Sequence, residues 1–162
     1  DLQEALAHFI TIAAERLRRD KLVASCVHAY ITTKYYGVGE KYSGNGERVL
    51  HEPSSYTPDL VTAAHAVLDE IFKPGVRYKK AGVVLTGLVP ERAVQMNLLR
   101  TRTVSHTKAA RVMDKIDTIN AYWGSDTVSF AGAGIRRPWR GKRENSSQAY
   151  TTKWQELPVA RV

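Results

Sequence analysis

Tyr78-Lys79-Lys80-Ala81-Gly82-Val83-Val84-Leu85 places two adjacent lysines at the head of an apolar strand. Side chains alternate across a strand, so Val83 and Leu85 share one face while Lys80 and Gly82 share the other. A strand with one face to bury and one to leave open needs helices on one side only, and the upstream sequence supplies them. Leu2, Leu6, Phe9, Ile10, Ala13 and Leu17 recur at helical spacing, with Arg18, Arg19 and Lys21 where cations suit a helix C-terminus. Thr57 followed by Pro58 reads as an N-cap with proline in the first turn of a second helix. Its apolar stripe is Leu60, Ala63, Ala64, Val67 and Ile71, and Lys73-Pro74-Gly75 stops it. Between the helices, Val27, Ala29 and Ile31 alternate with His28, Tyr30 and Thr32 as a half-buried strand. A loop rich in tyrosine and glycine, from Tyr35 to Gly46, leads to a second short strand around Glu47–His51, and the lysine strand runs from about Arg77 to Leu88. The order helix, strand, strand, helix, strand predicts an α+β fold: an antiparallel sheet with two helices on one face and the other face open.

Past Leu88 the sequence reads as a linker to Val104, carrying Pro90 and the peptide Gln95-Met96-Asn97-Leu98-Leu99. Ala109, Val112, Met113, Ile116, Ile119 and Trp123 define a third helix, closed by Gly124. A short strand is expected at Thr127–Ala131, then little regular structure apart from Tyr150–Trp154. Phe130, Tyr150 and Trp154 are expected to cover the apolar stripe of the third helix. The chain thus divides into residues 1–88, a linker at 89–104 and an extension at 105–162.

The 162 residues carry a net charge of +8, unevenly placed. Residues 1–99 hold 12 Lys/Arg and 11 Asp/Glu, net +1, and residues 100–162 hold 12 and 5, net +7. Such asymmetry suits a polyanion, most often nucleic acid, or else a solubilising basic tail. The single cysteine, Cys26, excludes an internal disulfide framework and a Cys-rich zinc site, and points to a reducing cytoplasm. The first apolar segment is broken by Glu4, His8, Glu15, Arg16, Arg18 and Arg19, so it is neither a signal peptide nor a membrane span. An amphipathic helix opening directly on Asp1 suggests a fragment of something longer.

No convergent catalytic group stands out. Asp114 and Asp117 lie three apart on the third helix, where a metal could bridge them as in a small nuclease. With Lys108, Arg111 and Lys115 around them, the ordinary reading is a solvated helix face. His8, His28, His51, His65 and His106 show no metal-ligand spacing. Cys26 reads as a small half-buried thiol, and Gly132-Ala133-Gly134 lacks the Lys-Ser/Thr of a phosphate loop. No cofactor or metal is expected. Paired lysines and Gln-x-x-Leu-Leu also have bland readings, a solvated strand end and a helix edge.

Taken together, these segments resemble the C-terminal region of the UmuC family, the polymerase V-type members of the Y-family translesion DNA polymerases. Ala14-Glu15-Arg16-Leu17-Arg18, Ile31-Thr32-Thr33 and Tyr78-Lys79-Lys80-Ala81-Gly82-Val83 are similar to the family's little finger. Val112-Met113-Asp114-Lys115-Ile116-Asp117-Thr118-Ile119-Asn120, Phe130-Ala131-Gly132 and Tyr150-Thr151-Thr152-Lys153-Trp154 are similar to its C-terminal extension.

The resemblance implies a non-catalytic part of an error-prone polymerase of the SOS response to DNA damage, since no counterpart of the palm carboxylates is present. Whether the chain itself is an enzyme stays open, although the parent is implied to be a DNA-directed DNA polymerase. The little finger would lie along primer–template duplex, with Arg77, Lys79, Lys80, Thr32, Thr33, Lys34 and Arg48 on phosphates. Gln95, Met96, Asn97, Leu98 and Leu99 would dock on the sliding clamp, with Leu99 where such peptides often carry an aromatic residue. The implied partners also include a processed UmuD dimer and RecA, and the implied location is the nucleoid-bearing cytoplasm of a bacterium, with no membrane association. The family's little finger has a strand ahead of the first helix that this sequence does not contain. The alternative is a free-standing module that binds the clamp, UmuD or RecA without useful DNA affinity.

Overall fold

The structure, a computed structural model, describes residues 1–34, 41–94, 106–135, 139 and 147–157. Its elements in chain order are α1 (Leu2–Arg19), β1 (Leu22–Thr32), β2 (Ser43–Ser54), α2 (Thr57–Ile71), β3 (Lys80–Thr86), a two-residue β4 (Val89–Pro90) and α3 (His106–Trp123). Short 3-10 turns follow at Ala131–Ala133 and Trp154–Glu156. β1 is central and pairs antiparallel with β2 on one side and β3 on the other. The result is the expected α+β arrangement, an antiparallel sheet with its helices on one face.

Register fixes which face is which. Ala29 stands opposite Gly46 and Val83, and Ile31 opposite Gly44 and Ala81. These positions turn toward the helices, where Leu6, Ile10, Leu60 and Val67 are fully buried against Val27, Ala29 and Ile31. Each such side chain contributes about 1.5–3 kcal/mol. The stripe read along α2, Leu60, Ala63, Ala64, Val67 and Ile71, is buried throughout.

Four local readings are corrected. Thr57 is the first residue of α2, and Tyr56 takes the cap position without a side-chain capping bond; the threonine is fully buried, and its hydroxyl accepts from Arg18. β2 begins at Ser43, so Ser43–Gly46 are strand rather than loop, because pairing with β1 overrides the weak strand preference of Gly44 and Gly46. Pairing runs past residue 88 into the expected linker, where Val89 and Pro90 lie opposite Val23 and Leu22. Thr127–Ala131 is no strand: Asn120 accepts from the Val128 amide at 2.8 Å and donates to the Val128 carbonyl at 3.0 Å, folding the chain back onto α3.

The extension docks on the helix layer. Gly124 closes α3 at φ +109, a conformation that favours glycine, as read from the sequence. The face that packs is the Ala109–Met113 line, whose two residues are buried, whereas Val112 and Trp123 are 47% and 68% exposed. Tyr150 and Trp154, expected to cover that helix, are exposed. The Ala131–Ala133 turn contacts α1 instead and buries Ala133.

A two-pronged ion pair fastens α3 to α1. Arg18 Nε donates to Asp117 Oδ2 at 2.6 Å and Nη2 to Oδ1 at 2.8 Å. Its Nη1 reaches the Ser55 carbonyl at 2.8 Å and Thr57 Oγ1 at 3.0 Å. Asp117 is therefore a structural anchor rather than part of a solvated face or a metal pair with Asp114. Among the described residues no helix is long and apolar enough to cross a membrane.

Candidate nucleic-acid interface

The face of the sheet turned away from the helices carries Cys26, His28, Tyr30 and Thr32 from β1. Opposite them lie Val49, Glu47, Asn45 and Ser43 of β2, and Thr86, Val84, Gly82 and Lys80 of β3. Tyr30, Val49 and Val84 are 40%, 68% and 49% exposed, so no described element covers this face there, although Cys26 at its far end is buried. A Cβ on Gly82 would lie 2.4 Å from the Tyr30 hydroxyl, which is why the tyrosine can lie flat across β3.

One end of this surface gathers the cations read from the sequence. Lys80 stands directly opposite Thr32, and the Lys79 amide donates to the Thr32 carbonyl at 2.8 Å, extending the ladder by one residue. Adjacent strand residues point to opposite faces, so the lysine pair splits: Lys80 follows the open face and Lys79 the rim on the helix side. Both are exposed, as are Arg77 and Lys34 beside them. Thr33 exchanges hydrogen bonds with the Tyr42 backbone and pins the end of β1 to the start of β2.

The rim is held by aromatic side chains. The Tyr78 hydroxyl accepts from the Lys73 amide at 2.8 Å and donates to its carbonyl at 3.1 Å. Its ring meets those of Tyr42 and Phe72. Tyr42 donates to the Ile71 carbonyl at 2.7 Å, and Lys73 lies 4.3 Å above its ring.

Arg48 does not join the cluster. It lies opposite Val27, on the face turned to the helices, and pairs with Glu70 of α2. Five residues of strand, about 17 Å, separate it from Ser43 at the cationic end. The peptide Gln95–Leu99 lies outside the described residues.

Sequence reading missed one grouping. Cys26, His28 and Glu47 bring sulfur, imidazole nitrogen and carboxylate oxygen within 4.8 Å of one another. The Cys-x-His spacing in a strand placed two of them on one face, but the third depends on cross-strand register.

The geometry defines an α+β domain with a one-sided helical cover and a docked C-terminal extension. Residues 1–98 match the impB/mucB/samB family C-terminal domain, and residues 110–160 match a domain of unknown function, DUF4113. The chain belongs to the impB/mucB/samB family and corresponds to the C-terminal region of its UmuC-type members. It is 34% identical over 163 residues to Protein SamB of Salmonella typhimurium, covering 99% of this chain and 38% of the relative. It is 32% identical over 158 residues to Protein UmuC of Salmonella typhimurium strain LT2, covering 97% and 37%. Protein MucB of Escherichia coli is 31% identical over 163 residues, with 100% and 38% covered. The chain therefore spans less than two fifths of the length of these curated relatives. No solved structure matches it significantly.

Proposed function

We propose that this chain is the DNA-holding and clamp-docking portion of an error-prone translesion DNA polymerase acting in the response to DNA damage. One observation carries the reading: exposed Lys80, Lys79, Arg77 and Lys34 gather at one end of the sheet, with Lys80 and Thr32 on the face that no described helix covers and Lys79 at its rim. Cations and hydroxyls on a rigid, open sheet suit phosphates spaced along a duplex, and phosphate contacts position DNA without reading its sequence. That indifference is what a polymerase copying damaged template requires. Family membership supports the reading, and the net +7 of residues 100–162 adds a second attractive surface. Gln95-Met96-Asn97-Leu98-Leu99 is the clamp-docking peptide, with an amide for a polar subpocket and three apolar side chains for others. A processed UmuD dimer and RecA are further partners, and the bacterial nucleoid is the place of action.

The test is the salt dependence of duplex binding. Each phosphate contact steepens the log–log slope by about 0.9. Lys79→Ala with Lys80→Ala should flatten the slope by roughly one to two units and weaken all sequences alike. Arg48→Ala, which touches Glu70 on the other face, should leave the slope unchanged. An unaltered slope in the double variant would remove the sheet from the interface.

A further inference from the structure

We propose that Cys26, His28 and Glu47 form a binding site for a zinc-class divalent cation on the open face of the sheet. Cys26 and His28 are two residues apart on β1 and so project to the same side, and the antiparallel register sets Glu47 of β2 directly opposite His28. Their three donor atoms lie within 4.8 Å of one another.

The spacing suits tetrahedral coordination. With metal–nitrogen and metal–oxygen bonds of about 2.0–2.2 Å, two such ligands sit about 3.4 Å apart. His28 Nε2 and Glu47 Oε2 are 3.2 Å apart before any metal binds. Sulfur bonds are longer, about 2.3 Å, and the 4.8 Å bound on the three donors means that Cys26 Sγ draws in toward the other two as the metal binds. A thiolate, an imidazole and a carboxylate together favour Zn2+ or Co2+ over Mg2+ or Ca2+, which take oxygen ligands.

Three protein ligands leave a fourth position for water. The Thr86 hydroxyl is hydrogen-bonded at 3.1 Å to His28 Nε2, the nitrogen that would ligate the metal, so metal binding replaces that bond. On binding, the Cys26 thiol proton leaves to solvent, and the His28 ring keeps its proton on Nδ1 while Nε2 offers its lone pair; the site therefore loads less well in acid. Glu47 is the sole carboxylate among the paired positions of this face. A bound dication offsets its charge. The inference does not rest on the DNA reading, because metal binding is measured with no nucleic acid present.

The experiment is a titration of the reduced full chain with Co2+, followed by displacement with Zn2+. One equivalent should bind, with thiolate-to-cobalt charge transfer in the near ultraviolet and the intense visible bands of four-coordinate Co2+. Zn2+ should abolish both. Cys26→Ser should remove the charge-transfer band, and His28→Asn and Glu47→Gln should each weaken Co2+ binding by about tenfold or more. The His28 and Glu47 side chains are 37% and 60% exposed, so both variants should melt with the wild type in chelator. Absence of the charge-transfer band in the wild-type chain would overturn the proposal. So would wild-type Co2+ affinity in His28→Asn and Glu47→Gln.

Discussion

Removing the Arg18 guanidinium should loosen the extension from the rest of the chain. The pair it forms with Asp117 is intermediate in burial, with side chains 13% and 26% exposed. It lies on the wall of a cavity of about 550 Å³ between α1, the turn that follows β2, and α3. Breaking one partner of a fully buried pair costs about 3–5 kcal/mol, whereas an exposed pair is worth about 0.2–1 kcal/mol. Water reaches this pair through the cavity, so Asp117→Asn should cost about 1–3 kcal/mol. Arg18→Ala also strands the Ser55 carbonyl and the buried Thr57 hydroxyl, and should cost about 2–4 kcal/mol. For a chain of this length that lowers Tm by roughly 5–12 °C. Urea denaturation of the two single variants and the double variant gives the coupling, expected at about 1–2 kcal/mol. A coupling under about 0.5 kcal/mol, the level at which independent sites already scatter, would refute the view that the pair fastens α3 to α1.

A valine at Gly46 should cost about 1–3 kcal/mol by denaturation, because even a Cβ there meets Val67 Cγ1 at 3.0 Å and Ile71 Cγ2 at 3.3 Å. Leu98→Ala with Leu99→Ala should remove clamp binding while leaving Tm within a degree or two; retained affinity, or a large loss of stability, would count against a docking role. Truncation after Gly124 should unseat the Ala131–Ala133 turn from α1 and raise binding of a hydrophobic dye, with an unchanged dye signal as the contrary result. Ile10→Ala, at a fully buried position between α1 and the sheet, should cost about 2–5 kcal/mol by the same denaturation assay.

The alternation of Val27, Ala29 and Ile31 against His28, Tyr30 and Thr32 was legible because a period of two needs no knowledge of neighbours. Register is different in kind. A one-residue step reverses the face, so Arg48, grouped in sequence with the phosphate-facing cations, lies on the helix side against Glu70. The lysine pair divides for the same reason. The Cys26, His28 and Glu47 grouping was hidden because Glu47 is 19 positions from His28 along the chain and beside it only through pairing. On α3 the helical period was right, but it admits several adjoining stripes. The buried line holds Ala109 and Met113, with Asp117 one turn further on bound to Arg18, and it leaves Val112 and Trp123 outside. The expected cover from Tyr150 and Trp154 does not form: both are exposed, as are Val112 and Trp123 of the stripe they were to cover.

The Arg18–Asp117 clasp joins residues 99 positions apart, so it bears on the time course of folding as well as on the balance of states. Closing so long a loop is worthwhile only after the intervening sheet has drawn its ends together. A contact made that late contributes little to the rate of reaching the native state and acts mainly as a brake on leaving it. Stopped-flow refolding of Asp117→Asn should therefore match the wild type, while its unfolding arm runs faster by close to the full stability loss.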